Sequence, residues 1–269
     1  MKAISLLVAG SLLAYAGENV LTPEDRREGF KLLFDGQTLR GWKNPARKLV
    51  SNPCWVIDDG ALKTVVRAKF SEDLISEKIY ADFDLKFEWK LPERGNTGVK
   101  YRIQREVFLD ESKHGKVPFE AMLGAETSNP QSDRKTYKGE GRAQLYTVGF
   151  EFQLLDDERH PDGQKDPSHR TGALYSFIAA EKQASKPIGD WNSGRLIVKG
   201  DHFEHWINGT KVLEGSLKDP AVKAGAEKRW APAPVIRNLL VEAKPRGPIA
   251  LQHHGDEVWF RNIRIHALN

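Results

Sequence analysis

The sequence predicts an all-β fold, an antiparallel β-sandwich of jelly-roll type, on three observations. Apolar and polar residues alternate in short segments, most regularly over residues 82–90, and this period of two is typical of half-buried strands. Asp59-Gly60 and Asn208-Gly209 are dipeptides that tight hairpin turns favour. Between Phe30 and Leu217 no segment of convincing length has a helical period.

The N-terminal elements follow from local signals. Thr22 before Pro23 predicts an N-cap and a short helical turn. Residues 29–36 predict a strand that ends in a turn, and residues 54–65 predict a hairpin around Asp59-Gly60. Residues 82–90 predict a strand with a buried apolar row made of Phe83, Leu85, Phe87 and Trp89. Residues 95–98 predict a turn, and residues 99–103 a strand with Lys100 and Arg102 on one face.

The chain is organised around residues 149–160. Phe150, Phe152 and Leu154 alternate with Glu151 and Gln153, so a strand would bury the first set and present the second on its other face. A charged loop follows, with Asp156, Asp157 and His160. Carboxylates, an amide and an imidazole near one strand end are suited to proton transfer, although a solvated outer face fits the same residues.

Further strands are predicted for residues 171–178, 194–200, 202–207 and 210–213, and closing strands for residues 248–255 and 258–265. Residues 105–143 and 217–246 interrupt the pattern and predict insertions, and the apolar run 235–241 fits a helix or a strand. We therefore expect a single domain over residues 28–269 with two insertions.

Residues 1–17 predict a secretory signal peptide. Lys2 precedes an apolar run over residues 4–14, and Ala14-Tyr15-Ala16 is a small-x-small cleavage site. We expect cleavage after Ala16 or Gly17 and export to the periplasm or the outside. The apolar run is too short for a comfortable membrane span, and no other long run exists. The single cysteine, Cys54, is expected to be buried and forms no internal disulfide.

Several functional classes lack their signatures. The net charge of +4 is scattered, without a basic block, which argues against nucleic acid as a partner. Neither a nucleophile elbow nor a phosphate loop is present. The spacing of candidate ligands fits no zinc or calcium pattern, yet a divalent metal stays open as a cofactor. Its candidate ligands are Asp156, Asp157, His160, His169 and His254.

An ordinary β-sandwich glucanase has a strand with the pattern Glu-x-Asp-x-x-Glu. Here the corresponding residues are Glu151, Gln153 and Asp156. The middle carboxylate is replaced by an amide and the last is one methylene shorter, which weakens a retaining mechanism that needs two flanking carboxylates.

A set of short motifs runs in a fixed order along residues 30–268. They are Leu33-Phe34-Asp35-Gly36 with Gly41-Trp42, Gly95-Asn96-Thr97-Gly98-Val99, residues 149–156, Thr171-Gly172-Ala173-Leu174-Tyr175, residues 204–209, and the ending Gly247-Pro248-Ile249-Ala250-Leu251-Gln252 with His254-Gly255, Val258 and residues 260–263. In this order they resemble the 3-keto-disaccharide hydrolase domain family. The resemblance implies a concanavalin A-like sandwich with a carbohydrate site on one sheet and a substrate whose glucose unit is a ketone at carbon 3.

Such a substrate implies elimination and hydration. The ketone acidifies the hydrogen on carbon 2, a base removes it, the enolate expels the glycosidic oxygen, and water addition completes net hydrolysis. In this hypothesis, Glu151 or His160 is the base that removes the hydrogen, and Lys100 or a bound cation stabilises the enolate. Asp156 or His254 would assist the leaving group. Asn96, Arg102, Gln153, Tyr175 and Gln252 would bind sugar hydroxyls, and Trp191 would stack on a ring.

Two alternatives remain open from the sequence. One is a carbohydrate-binding module of the same fold without chemistry, because a fold does not fix a function. The other is a conventional glycosidase. Lys100 and Arg102 also fit solvent-facing strand charges, and Tyr175 and Trp191 also fit core or hairpin aromatics.

Overall fold

The computed structural model describes residues 18–43, 54–68, 70–110, 118–121 and 143–268. Two β-sheets form a sandwich. The larger sheet contains β1 (Lys31–Leu32), β3 (Trp55–Asp58), β4 (Ala61–Thr64), β7 (Phe83–Lys90), β10 (Asn192–Lys199), β11 (His202–Ile207), β12 (Thr210–Ser216) and β14 (Trp259–Ala267). The smaller sheet contains β2 (Trp42–Lys43), β5 (Phe70–Glu72), β6 (Leu74–Ser76), β8 (Asn96–Asp110), β9 (Ala143–Leu155) and β13 (Ala250–Leu251). The predicted antiparallel sandwich is confirmed.

The strand order explains how distant segments meet. The larger sheet runs β12-β11-β10-β7-β14-β4-β3, with β1 beside β14, and the smaller runs β2-β6-β13-β8-β9-β5. All pairs are antiparallel except β5 with β9. Strand β13, which precedes the C-terminal strand β14, therefore lies between β6 and β8, and this brings residues near 252 beside those near 98.

The core lies between the two sheets and follows the alternation in the sequence. Phe83, Leu85, Phe87 and Trp89 of β7 are all buried, as predicted. Phe150, Phe152 and Leu154 enter the same core from β9. The rings of Phe87 and Phe152 meet edge to face across the sandwich, with centroids 5.9 Å apart. Burial of apolar side chains such as these is the dominant favourable contribution to folding.

Both predicted hairpin turns are present. Asp59 and Gly60 have φ of +46° and +72°, and Asn208 and Gly209 have φ of +48° and +79°. Two consecutive residues with positive φ match the right-handed twist of the strands that they join. The N-cap at Thr22 is also confirmed, because its hydroxyl accepts from the Asp25 amide at the start of α1 (Pro23–Arg27).

Four predicted elements are wrong. Of the closing strand predicted for residues 248–255, only Ala250–Leu251 is a strand. Residues 171–178 do not form a strand but two isolated bridges, because the chain turns at Gly172 (φ +91°) and Ser176 (φ +64°). Residues 96–98 open β8 instead of forming a turn, and the turn lies earlier, where the Gly95 amide donates to the Pro92 carbonyl. In residues 29–36 only Lys31–Leu32 is a strand.

The described parts of the two segments predicted as insertions pack against one end of the smaller sheet. Strands β8 and β9 extend into the first of them, to Asp110 and from Ala143. The second contains α2 (Pro220–Arg229) and α3 (Pro234–Val241), so the apolar run 235–241 is helical. A second apolar cluster joins the helices to the sheet through Val107, Leu109, Tyr146, Val148, Ala226, Trp230, Ala233, Ile236 and Leu240. No helix among the described residues is long and apolar enough to span a membrane.

A bulge separates the two halves of the β8–β9 pair. Tyr101 pairs with Phe150 and Arg105 with Val148, so three residues of β8 oppose Gly149 alone. Arg102 in the bulge has φ of +51°. The bulge reverses which face alternate residues occupy: Leu145 and Phe150, five apart, both enter the core, while Tyr146 and Glu151 both face away from it.

Candidate active site

A pocket of about 370 Å³ lies on the smaller sheet, on the face turned away from the core. This volume falls within the range of about 300–1,000 Å³ that is usual for small-molecule sites. Its lining is Asn96, Phe119, Glu120, Gln144, Tyr146, Glu151, Gln153, His160, Pro161, Asp162, Lys165, Tyr175, Arg229, Gln252 and His254. Seven of the predicted site residues are among them: Asn96, Glu151, Gln153, His160, Tyr175, Gln252 and His254.

Glu151 lies in the middle of this lining and is 5% exposed. Gln252 donates to its Oε2 at 3.2 Å, and the Gln153 amide, oriented to satisfy its neighbours, donates to Oε1 at 3.1 Å. Burial raises the pKa of the Glu151 carboxyl, against the opposing effect of the Lys100 ammonium. A carboxyl with a raised pKa in a pocket is suited to accept and return a proton.

Gly98 makes room for this carboxylate. It lies opposite Gln153 in the register, and a Cβ built on it would fall on Oε1 of Glu151. Only a residue without a side chain allows the carboxylate to lie flat against β8 at this point. The glycine therefore fixes the position of the candidate base.

Lys100 lies opposite Glu151 on β8 but is 1% exposed and outside the pocket lining. Its ammonium contacts Asp73 at 3.0 Å, the Thr147 carbonyl at 3.4 Å and the face of the Tyr146 ring at 4.0 Å. The Asp73 carboxylate raises the pKa of Lys100 in spite of its burial, so the group stays charged. Lys100 supplies a fixed positive charge beneath the site and does not reach into the pocket.

Two imidazoles form one end of the pocket. The rings of His160 and His254 are 5.9 Å apart, and Asn96 Nδ2 lies 3.4 Å from His254 Nε2. His160 Nδ1 accepts from the Asp162 amide at 3.1 Å, so the neutral ring carries its proton on Nε2. Burial, and then the neighbouring His254, lower the pKa of His160 and keep it neutral.

This end also contains a candidate metal site. One ligand atom each from His160, His254 and Asp256 lies within 4.8 Å of the others. Two imidazoles and a carboxylate are suitable ligands for a transition metal or zinc. Of the metal candidates suggested by the sequence, His160 and His254 belong to this group. Asp156, Asp157 and His169 do not.

A hydrogen-bonded chain behind the pocket holds Tyr175. The Tyr175 hydroxyl donates to Asp162 Oδ2 at 2.7 Å, and Asp162 Oδ1 lies 3.1 Å from His169 Nδ1. Burial would raise the pKa of Asp162, but the hydrogen bonds from His169 and Tyr175 lower it well below its usual range. Burial raises the pKa of Tyr175, so its hydroxyl keeps the proton and offers the pocket an acceptor oxygen.

Ser176 completes an arrangement that resembles a hydrolase triad, because its Oγ lies 3.0 Å from His169 Nε2. An acyl-transfer site also needs amide donors for an oxyanion. The amides of Ser176 and Phe177 instead donate to the carbonyls of Ser168 and Leu174. We therefore interpret the chain as support for Tyr175.

Arg229 and Glu120 line the pocket and were not predicted from the sequence. Arg229 ends α2, and its Nε donates to Glu120 Oε1 at 3.2 Å. The guanidinium carbon lies 4.8 Å from the centroid of the Tyr175 ring and 4.7 Å from that of Trp230. No motif marks either residue, since both come from the irregular insertions and meet across 109 positions of the chain.

Besides Lys100, three predicted site residues lie outside the pocket. Arg102 turns to the Gly200 carbonyl and is 2% exposed, because the bulge redirects its side chain away from the pocket. Asp156 is 2% exposed and accepts from the amides of Arg94 and Arg159, in a separate groove. Trp191 precedes β10 in the larger sheet.

The guanidinium carbon of Arg261 lies 4.0 Å and the ammonium of Lys90 5.2 Å from the centroid of the Trp191 ring. Trp191 therefore belongs to a surface cluster of charged and aromatic side chains. His205, which the sequence does not place in the site, is fully buried and stacks on Phe152 at 4.0 Å. Cys54 is buried too, as expected, and burial raises the pKa of its thiol to about 12.

The model of the 3-keto-alpha-glucoside-1,2-lyase-like domain matches residues 29–266, almost the whole chain. The chain belongs to this family. A 3-keto-disaccharide hydrolase of Bacteroides thetaiotaomicron is 28% identical over 280 residues, which cover 99% of this chain and 87% of that protein. The resemblance found in the sequence is thereby confirmed.

Solved structures agree on the fold. A candidate glycosyl hydrolase from Parabacteroides distasonis is 26% identical, with a TM-score of 0.66 over 94% of this chain and all of that one. A second candidate glycosyl hydrolase from the same organism is 24% identical, with a TM-score of 0.56 over 89% of this chain and 99% of that one. The 3-keto-alpha-glucoside-1,2-lyase-like domain described here is a β-sandwich of a carbohydrate-active family, with a polar pocket on its smaller sheet.

Proposed function

We propose that this protein cleaves the glycosidic bond of 3-keto-glycosides by elimination followed by hydration. The observation that carries the proposal is the Glu151 carboxyl, buried beside the pocket with a raised pKa and with imidazoles to one side. The family of the chain and its relative from Bacteroides thetaiotaomicron support this substrate class.

Glu151 is the base in this mechanism. Of the two candidates, His160 has its Nδ1 occupied by the Asp162 amide and its proton on Nε2, so it is arranged to donate. Glu151 can take the hydrogen from carbon 2, because ionisation leaves both of its oxygens as acceptors. The amides of Gln252 and Gln153 hold the carboxylate in place while it does so.

Negative charge then develops on the oxygen at carbon 3. His160 Nε2–H and the Asn96 amide lie at the same end of the pocket and can donate to this oxygen. A cation held by His160, His254 and Asp256 would serve the same purpose. Lys100 lies beneath the pocket, outside its lining. Its positive charge opposes the rise in the pKa of Glu151.

The leaving oxygen needs a proton. Asp156 faces a separate groove, whereas His254 lines the pocket and its side chain is 45% exposed. Asp256 Oδ2 lies 3.8 Å from His254 Nδ1. We therefore assign this step to His254.

Gln252 provides a contact for a sugar hydroxyl. Its Oε1 is buried and lacks a hydrogen-bond partner among the described residues, while its Nε2 is used on Glu151. A buried acceptor without a partner costs about 1–3 kcal/mol, which a substrate hydroxyl would recover.

The test is turnover of a chromogenic 3-keto-glucoside beside its unoxidised parent, with and without a chelator. We expect release from the keto sugar alone, and Glu151→Gln should lower kcat about 10²–10⁴-fold. Turnover of the parent would favour a conventional glycosidase. Sugar binding without turnover of either would favour a binding module. Loss of activity with chelator, restored by metal, would assign a role to the cation.

We also propose that the protein is exported. The support is the signal-like pattern of residues 1–17 and the position of Asn19, whose side chain donates to the Gly60 carbonyl and accepts from the Asn262 amide. The chain is thus attached to the sandwich just after the expected cleavage point. N-terminal sequencing of protein from the periplasm or medium should give a start at Gly17 or Glu18, and an intact Met1 in the cytoplasm would contradict this.

A further inference from the structure

Arg229, Glu120 and Phe119 form one wall of the pocket, which is called the insertion wall below. Resting on the proposed function, we propose that this wall binds the leaving group of the substrate and that the leaving group is a neutral sugar with free hydroxyls. Arg229 comes from α2 and Glu120 from residues 118–121, so both belong to segments added to the sandwich.

The insertion wall is held in a fixed geometry. Arg229 has a 17% exposed side chain, and its guanidinium lies near the rings of Tyr175 and Trp230. Within the described residues its single hydrogen bond is from Nε to Glu120, so both terminal nitrogens are available to a ligand. The Glu120 side chain is 28% exposed, and one of its oxygens is not used by Arg229.

A donor fork beside a carboxylate acceptor fits adjacent sugar hydroxyls. The guanidinium donates to hydroxyl oxygens and the carboxylate accepts from a hydroxyl hydrogen. Since the two charges balance, an anionic group would gain from Arg229 but be repelled by Glu120. The ring of Phe119, placed edge to face with Tyr146 at 5.1 Å, adds an apolar surface.

The position of Glu151 makes this the leaving-group side. On β9, Tyr146 precedes Glu151 by five residues and Gln153 follows it by two, and all three line the pocket. The histidine end, with Asn96, supplies the donors that the keto sugar needs. The glycosidic oxygen then lies between His254, which protonates it, and the insertion wall, so the second ring extends past Glu151 toward Tyr146 and that wall.

Substrate pairs test this subsite. The ratio of kcat/KM for a 3-keto-disaccharide with glucose as leaving group to that for methyl 3-keto-glucoside should fall at least tenfold in Arg229→Gln and in Glu120→Gln. Arg261→Gln is the matched control, because Arg261 also pairs through Nε with a glutamate and lies on an aromatic ring, with a 19% exposed side chain. It lies in the larger sheet, and its ratio should stay within twofold of wild type.

An equal loss on both substrates would mean that the insertion wall holds the keto sugar or only supports the fold, and would overturn the proposal. An unchanged ratio in both variants would overturn it as well. Thermal unfolding shows whether either variant is misfolded. If one is, the kcat/KM ratio of the other variant decides the test.

A second readout does not depend on catalysis. Saturation-transfer NMR with glucose at millimolar concentration should show binding to the wild type and loss of the signal in Arg229→Gln. If no keto sugar is turned over but this binding is seen, the proposed function fails and the subsite stands. If glucose gives the same signal in both proteins, or none in the wild type, the subsite is rejected.

Discussion

At the scale of single residues, Glu151 depends on Gly98 for its position. The carboxylate occupies the space that a Cβ at residue 98 would need. We expect Gly98→Ala to displace the carboxylate from its amide donors and to lower kcat at least tenfold with a smaller effect on KM. Steady-state kinetics measure this.

Gly215→Ala is the control for that substitution. Gly215 also lies in a strand, and its tightest contact for an added Cβ is 3.2 Å, to the Phe203 ring. It should leave kcat within twofold of wild type. Wild-type kcat in Gly98→Ala would show that Glu151 does not need its present position.

The pH dependence of activity also belongs to this scale. A base must be ionised, and burial raises the pKa of Glu151 above its ordinary value of 4.5. Activity should therefore rise with pH through an apparent pKa above 4.5. Lys100→Met removes the opposing charge, so this limb should move to higher pH. A limb that moves to lower pH, or does not move, would contradict the role of Lys100.

What the sequence could predict at this scale depends on how local the signal is. Glu151 and Gln153 follow from strand alternation, and both line the pocket. The position of the Arg102 side chain does not follow from alternation, because a bulge with positive φ interrupts the alternation on which its prediction depended. Arg229 and Glu120 could not be found, since only the tertiary fold brings them together.

At the scale of elements, α3 fixes the insertion wall indirectly, because it packs with α2 against β8 and β9. Ile236→Ala removes a side chain that is 2% exposed and should lower the free energy of unfolding by about 2–5 kcal/mol. Val235 is next to it and 44% exposed, so Val235→Ala should change the free energy by less than about 0.5 kcal/mol. Urea unfolding measures both, and equal effects would show that α3 is not packed as described.

Elements were predictable where period and turn residues agreed. The hairpins around Asp59-Gly60 and Asn208-Gly209 span only residues 55–64 and 202–216, so their signals are local in the sequence. The strand predicted for residues 171–178 was wrong because their apolar residues pack in turns, where Gly172 and Ser176 adopt positive φ. The helix at Pro234–Val241 stayed ambiguous because a short apolar run fits either state.

At the scale of the whole molecule, stability should depend on pH through His205. Its ring is buried between the sheets, stacked on Phe152, with Nδ1 donating to the Gly172 carbonyl and Nε2 near the Tyr101 hydroxyl. Burial lowers its pKa to about 3. The unfolded chain takes up a proton below the ordinary pKa of 6.5, whereas the folded protein does not.

The stability contributed by His205 is therefore complete above pH 6.5 and is lost as the pH falls toward 3. Near pH 5 the loss should approach about 2 kcal/mol, at about 1.4 kcal/mol for each tenfold change in proton concentration. Urea unfolding at pH 7.5 and 5.0 should show this loss in wild type and in His202→Gln, whose side chain is exposed, and a smaller one in His205→Gln. Identical losses in all three would reject the assignment.

The bulge at Arg102 and Gly149 has a consequence for comparing relatives. It sets the spacing between Tyr146 and Glu151 at five, an odd number, although both side chains point into one pocket. Deleting a single residue between them would send either the tyrosine or the carboxylate into the hydrophobic interior. Distant relatives should therefore keep this odd interval even where the residues between the two positions differ. The interval itself can then guide their alignment.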